Sequence, residues 1–385
     1  MRCWRPPPGS ERPECFPIAL TASGALVAHL IARRVPYAAG SGIQHVEAVW
    51  RQESDTHPWR LLPAKFAGGL VAIGSGLILG REGPTVHMGA AIGVLAGRHG
   101  RLGPEDARML HTALGGAGLA VAFSAPLSGL LFVCEEVTRS FRPRLVLLTL
   151  LGTVAAVSCT RLIVGDAPAF PVPDLPSPPL WTLPAFLLFG ATAGVLGAAY
   201  AHLVVGALEL CDRMTRVPTP LRAAAIGAVV GALMAADPLL AGGGDVLTER
   251  LLGAAGPGVT ALAVYLAVRF VAGPLSYAAA TPGGLFAPLL ALGALWGTLA
   301  HALAAPVLPS PAPGPAAFAV VGMAALFTGV VRAPVTGIVL VAEMTGTLSL
   351  WLPLLLACFA ATVTADRLES EPIYDSLRRR MLQRP

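Results

Sequence analysis

Charge is the scarcest commodity in this sequence. Of 385 residues 13% are charged and 55% hydrophobic, and mean hydropathy is +0.68, whereas a soluble globular domain carries about a quarter charged residues. That balance excludes the two or three soluble domains that length alone suggests. Lysine is nearly missing: Lys65 is the only one, so the net charge of +5 is almost entirely arginine. The arginines sit in connectors such as 97–108 and 139–144 and in the tail LRRRMLQRP. No basic run is long, so no nucleic-acid partner is expected. Cysteine is sparse. Cys134, Cys159, Cys211 and Cys358 lie in apolar segments, Cys3 and Cys15 in the N-terminal arm, and no pair has metal-ligand spacing. Neither a zinc site nor a disulfide framework is indicated, and neither metal nor cofactor is expected. The opening MRCWRPPPGSERPEC has three consecutive prolines and no apolar core of a signal peptide. It reads as a disordered arm over 1–16 or a mis-assigned start.

What the chain has instead is apolar sequence. Runs near 18–32, 110–134, 144–164, 181–210, 221–240, 257–273, 315–342 and 348–365 read as bilayer-crossing segments, for which about 20 residues are needed. Shorter runs near 62–80, 84–98 and 284–304 are interrupted by glycine or proline. The fold class that follows is an all-α polytopic membrane protein. Basic tails usually mark the cytoplasmic side, which places the C-terminal tail there.

The chain also repeats itself. APLSGLLFVCEE (125–136) recurs as APVTGIVLVAEM (333–344), 208 residues on. EGPTVHMGAAIG (82–93) recurs as FAPLLALGALWG (286–297), 204 residues on, with Pro84, Gly89, Ala90 and Gly93 matched by Pro288, Gly293, Ala294 and Gly297. Between the copies lies DAPAFPVPDLPSPPLW (166–181), whose prolines cannot continue a helix. The expected organisation is a first half over 17–165, a connector over 166–181, a second half over 182–367, and a C-terminal helix with basic tail over 368–385. A second proline-rich loop, 305–317, divides segments within the second half.

Repeated halves in membrane transporters place the substrate site where they meet, with broken helices aiming their N-termini at an anion. Free N–H groups at helix starts bind anions. Three stretches have the form of a glycine-rich turn followed by an apolar helix: AAGSGIQHVEAV (38–49), LGREGPTVHMG (79–89) and TPGGLFAPLLALG (281–293). Pro84 and Pro288 sit where a first-turn proline is tolerated. Within the second stretch Arg81 and Glu82 stand side by side in apolar surroundings. A charge at membrane depth is costly and marks function by default, with pairing of Glu82 to Arg81 or Lys65 as the structural alternative.

Taken together, GSGIQ, GREGP, GGLFAP and EPIYDSL resemble the four anion-site signatures of the CLC chloride channel and transporter family, closest in pattern to its bacterial chloride/proton antiporters. The resemblance runs from about residue 18 to 380 and takes in HPWRLLPAKFAGG and FSAPLSGLLFVCEE. It implies a membrane-embedded homodimer, each subunit with its own pore, built from two inverted-topology repeats of tilted, partly re-entrant helices. Its partners are chloride and other monovalent anions, protons and the lipid bilayer, and its setting is a bacterial inner membrane. Carried over by motif, the hydroxyls of Ser41 and Tyr374 and the amides of Leu285 and Phe286 bind chloride. Glu82 is the gating glutamate and Glu136 the internal proton-transfer glutamate. Gly40, Gly42, Ile43, Gly80, Arg81, Gly83, Pro84, Gly284, Ala287 and Pro288 complete the motifs.

Hydroxyl and amide donors suit a halide because they offer partial positive charge without a counter-ion that would trap it; conduction needs escape as well as binding. The presence of Glu136 beside Glu82 favours proton-coupled antiport over the alternative, a passive anion channel. The sequence departs from the family at Gln44 and His45, where Pro-Glu is usual, and in the three alanines of YAAATPGG (277–284). Only one membrane segment precedes GSGIQ where the family has a surface helix and two long ones, so an N-terminally truncated, non-transporting remnant is the third reading. An enzyme is not expected, because no histidine is placed by a catalytic motif.

Overall fold

The computed structural model describes residues 15–172, 175–253, 256–306 and 312–383. The expected arm over 1–16 lies outside these except for Cys15 and Phe16, which open the first helix, α1 (Cys15–Ala32). The chain continues through α2 (Ile43–Trp50), α3 (Pro58–Gly74), α4 (Glu82–His99), α5 (Pro104–Phe123), α6 (Pro126–Phe132) with a π-helical turn at Val133–Val137, and α7 (Pro143–Val164). After the proline-rich connector come α8 (Leu183–Arg213), α9 (Thr219–Ala236), α10 (Asp245–Leu252), α11 (Val259–Ala278), α12 (Phe286–Ala304), α13 (Pro315–Val331), α14 (Pro334–Thr345), α15 (Trp351–Arg367) and α16 (Ile373–Gln383). Among the described residues the only extended pairing is two isolated bridges, Gly40 with Pro282 and Gly80 with Gly284. Among the described residues six helices, α1, α7, α8, α9, α11 and α12, are long and apolar enough to cross a membrane.

Two of the apolar runs are not single spans. The run 110–134 breaks where α5 ends at Ser124, in left-handed backbone with φ 55°, and Pro126 opens α6. The run 315–342 breaks at Arg332, φ 69°, before Pro334 opens α14. A left-handed residue stops the i→i−4 ladder, and the proline that follows has no N–H to rejoin it but suits a first turn. The two breaks stand 208 residues apart, the repeat offset. Conversely, 286–304 is one unbroken helix and the most enclosed of the six, because Pro288 falls in its first turn, where no bond is lost.

The halves are held by matched devices. Gly89 and Gly93 on α4 rest against the Leu114 and Leu110 carbonyls of α5; Gly293 and Gly297 on α12 rest in the same way on Gly322 and Phe318 of α13. Any Cβ there would collide with backbone, so these glycines set the close approach typical of membrane helix pairs. Across the pseudo-symmetry, the Glu135 carboxylate accepts hydrogen bonds from the N–H groups of Val335 (3.0 Å) and Thr336 (2.6 Å) at the start of α14 and from the Thr336 hydroxyl (2.7 Å). Glu343 does the same at the start of α6, with Leu127 N–H at 3.0 Å, Ser128 N–H at 2.8 Å and the Ser128 hydroxyl at 2.5 Å. Each acid therefore sits on the positive end of the other half's broken helix.

Burial follows a lipid solvent. α13 is enclosed from Ala317 to Val331, while α7 presents Leu147, Leu151, Leu162 and Ile163 outward. Large apolar side chains face out without penalty where the surroundings are hydrocarbon.

Candidate anion site

Four stretches far apart in the chain converge at the middle of the molecule. The loop before α2 and the loop before α12 are tied by hydrogen bonds from Gly40 N–H to the Thr281 carbonyl (2.9 Å) and from Gly283 N–H to the Gly40 carbonyl (3.1 Å). Gly80, just before α4, and Gly284 exchange both N–H···O bonds at 2.8 Å. The starts of α2, α4 and α12 are thereby aimed into one volume. Gly83, in the first turn of α4, lies directly against the Ser41 hydroxyl; a Cβ there would strike the Ser41 oxygen and Cα. Tyr374, at the start of α16, completes the group, its ring stacked on Phe286 at 6.2 Å between centroids.

Ser41 and Tyr374 are fully buried, and neither hydroxyl makes a hydrogen bond of normal geometry. Buried hydroxyls nearly always have partners; these two are near enough to interact with each other and neither has another hydrogen-bond partner, so both can donate to an anion. Leu285 precedes α12, and Phe286 opens it; first-turn N–H groups have no intrahelical acceptor. Phe286 is clamped in an aromatic cluster with Phe123, Phe132 and Phe327, at 6.4, 5.7 and 4.8 Å, which fixes the direction of that helix end. Ile43 opens α2, and Pro84 and Pro288 are the third residues of their helices.

Glu82 is buried at the first position of α4. Its carboxylate accepts from the Ala287 N–H of α12 at 3.4 Å and is packed against Gly80, where a Cβ would overlap it. The acid thus occupies the positive end of α12. It does not pair with either basic candidate: Arg81 is exposed and donates to the Ala122 carbonyl at 3.2 Å, and Lys65 donates to the carbonyls of Ala38 (3.0 Å) and Gly40 (2.8 Å). Glu136 is placed apart, in the π-helical turn, buried and with one carboxylate oxygen lacking a hydrogen-bond partner. Tyr374 is within electrostatic range of both acids.

Several supporting residues are not singled out by motif reading. Arg378 on α16 reaches Glu47 of α2 at 3.3 Å, Glu53 at 2.7 Å and Asp375 at 3.4 Å, and Arg139 bonds Asp375 at 2.6 Å. This ionic cluster fixes α16, and with it Tyr374, to α2. The Tyr277 hydroxyl accepts from Ser41 N–H at 3.3 Å. Lys65 has a counterpart in Arg269 of α11, 204 residues on, which donates to the carbonyls of Leu239, Ala241 and Gly242 at 2.8, 2.9 and 2.7 Å. A lone lysine in an apolar run was a signal for the first; the second emerges only when the repeat offset is applied to it.

Broken helices whose positive ends face one another across two inverted halves define a multi-pass membrane transporter for small anions. The chain belongs to the voltage gated chloride channel family, whose sequence profile matches residues 24–366. Among its relatives is the H(+)/Cl(-) exchange transporter ClcA of Vibrio parahaemolyticus, 39% identical over 360 residues, 92% of this chain and 77% of that protein. The H(+)/Cl(-) exchange transporter ClcA of Vibrio cholerae is 40% identical over 360 residues, with the same coverage of 92% and 77%. In structure the chain is similar to a slow cyanobacterial Cl-/H+ antiporter, with TM-score 0.89, 30% identity, and coverage of 96% of this chain and 88% of that one.

Proposed function

We propose that this protein exchanges chloride for protons across a membrane, with Glu82 as both the gate and the outer proton carrier. The observation that carries the reading is the Glu82 carboxylate on the α12 N-terminus, 3.4 Å from the Ala287 N–H. A carboxylate seated where helix ends attract anions competes with a halide for the same donors. Protonation removes its charge and its claim on them. The buried hydroxyls of Ser41 and Tyr374 and the amides of Leu285 and Phe286 supply the next position inward, and Glu136 supplies the inner proton station. The two basic residues beside these motifs are turned to backbone carbonyls, Arg81 to that of Ala122 and Lys65 to those of Ala38 and Gly40. Binding is therefore kept weak enough for release.

The rest of the reading follows the family. The working unit is a homodimer in the bilayer of a bacterial inner membrane, each subunit with its own pathway. The arginine-rich α16 end faces the cytoplasm, in keeping with the positive-inside rule. The halves run over 17–165 and 182–367, joined by the connector 166–181.

The test is transport by purified protein in liposomes. An imposed chloride gradient is expected to drive protons uphill, seen as a change in external pH that accompanies chloride flux. Chloride flux without proton movement overturns antiport in favour of a passive channel, and no flux of either ion indicates a non-transporting remnant.

A further inference from the structure

The turn that presents Ser41 has a structural twin. Gly40-Ser41-Gly42 precedes α2 and Gly242-Gly243-Gly244 precedes α10; φ is 68° and 94° at the two glycines of the first, 70° and 106° at those of the second. Lys65 and Arg269 hold the carbonyls of the respective turns. Beneath the last glycine the halves differ. A Cβ on Gly244 would meet the methyl of Ala291 on α12, whereas one on Gly42 would overlap the ring of His87 on α4. His87 and Ala291 are equivalent residues of the repeat, 204 apart.

His87 does not stand alone. Its Nε2 lies 2.8 Å from Nδ1 of His45 on α2, and Nε2 of His45 lies 3.0 Å from the Asp55 carbonyl. A carbonyl only accepts, so His45 carries its proton on Nε2 and receives at Nδ1; in the neutral pair His87 is then the donor, through Nε2. The Tyr37 ring stacks on His45 at 4.2 Å. His45 and His87 are each 1% exposed. His87 Nδ1, buried and without a partner, faces the turn. Besides Tyr37, the titratable groups that act on the pair are Lys65, His57 and His111. The second half has none of this: its turn carries no side chain to aim, and an alanine suffices under it.

Resting on the reading that Ser41 lines the anion site, we infer that His87, fixed by donation to His45, is a positioning residue that sets the aim of the Ser41 hydroxyl. The side chain packed under the left-handed Gly42 turn, held by its bond to His45, keeps the turn from sinking toward α4, which would withdraw the Ser41 hydroxyl from the anion.

The test is chloride binding by calorimetry on the purified full chain, for His87→Ala, His87→Gln, Ser41→Gly and the double variant His87→Ala/Ser41→Gly. His87→Ala installs what the second half already tolerates and is expected to fold. It should weaken chloride binding about tenfold, the scale on which groups behind a ligand set act. His87→Gln keeps a donor for His45 and should restore most of the affinity. In the Ser41→Gly background His87→Ala should change affinity less than twofold, because the hydroxyl it aims is gone; a double-mutant cycle isolates that coupling. Equal weakening in both backgrounds, or wild-type affinity in His87→Ala while Ser41→Gly is impaired, overturns the inference. Failure of Ser41→Gly to weaken chloride binding overturns the anion-site reading instead.

Discussion

Lys65 and Arg269 stand 204 residues apart in the chain and do the same work in the two halves. Each is a buried basic side chain that donates to carbonyls around a glycine turn, two for Lys65 and three for Arg269. Burying a charge is expensive unless hydrogen bonds satisfy it. Here the compensation is backbone that would otherwise be unpaired in a low-dielectric interior. The consequence for an anion transporter is direct: these two basic side chains are turned toward the backbone of the turns they hold.

Removing these cations should cost stability in proportion to the carbonyls left bare, each worth about 1–3 kcal/mol. Arg269→Leu is expected to lower thermal stability more than Lys65→Met. Monodispersity after heating, read by gel filtration, checks the order, and equal losses would contradict it.

Glu82→Gln should fold normally, since no buried partner depends on its charge. Chloride should pass, proton coupling should vanish, and the residual flux should lose most of its pH dependence, because glutamine keeps the shape of a protonated glutamate but cannot release a proton. Paired chloride and pH recordings from liposomes decide this. Retained proton pumping would remove Glu82 from the mechanism.

Glu136→Gln should behave differently. It lies off the anion cluster, so proton transport is expected to stop while chloride flux still responds to pH through Glu82. A variant whose chloride flux became independent of pH would place Glu136 at the gate rather than behind it.

The α16 anchor has its own pH window. Burial alone raises the Asp375 carboxyl, but the hydrogen bonds and charges of Arg139 and Arg378 hold it below the usual range. A group with a depressed folded-state value stabilises the fold fully above its unfolded value of about 3.9 and loses that contribution as pH falls through the folded value. Hydrogen exchange of residues 373–383, normalised to intrinsic rates, should therefore be steady from neutral pH to about pH 5 and rise below about pH 4. Release of α16 near neutrality would show that Asp375 is not the anchor.

Glu135 and Glu343 offer a symmetric comparison. Replacing either by glutamine leaves one acceptor oxygen for two N–H groups and a hydroxyl, and should destabilise the fold by about 1–3 kcal/mol. Similar losses at the two positions, measured by thermal unfolding in detergent, are expected from their matched bonds. A loss at one position alone would mean that the halves do not brace each other reciprocally.

Membrane solvent, repeat and motif were all legible in the residues, because each is a matter of local composition or spacing. Apolar runs of bilayer length announce spans, the copied APLSGLLFVCEE announces two halves, and glycine turns before apolar helices announce helix starts free to bind an anion. Local pattern left open which prolines end a run: Pro126 and Pro334 follow left-handed Ser124 and Arg332 and break theirs, whereas Pro288 sits in the first turn of an unbroken helix. Nor could it tell that Arg81 turns outward while Glu82 turns in. That choice belongs to the pinning of Gly80 on Gly284, a contact between residues 204 apart. The His45–His87 bond likewise joins helices separated by 42 residues, and each histidine alone is an unremarkable member of an apolar helix. Sequence by itself determined the solvent, the repeat and the chemical groups on offer. Which groups meet was decided by tertiary structure, since orientation at a buried site is set by backbone contacts between distant segments and by the need to satisfy every polar atom there.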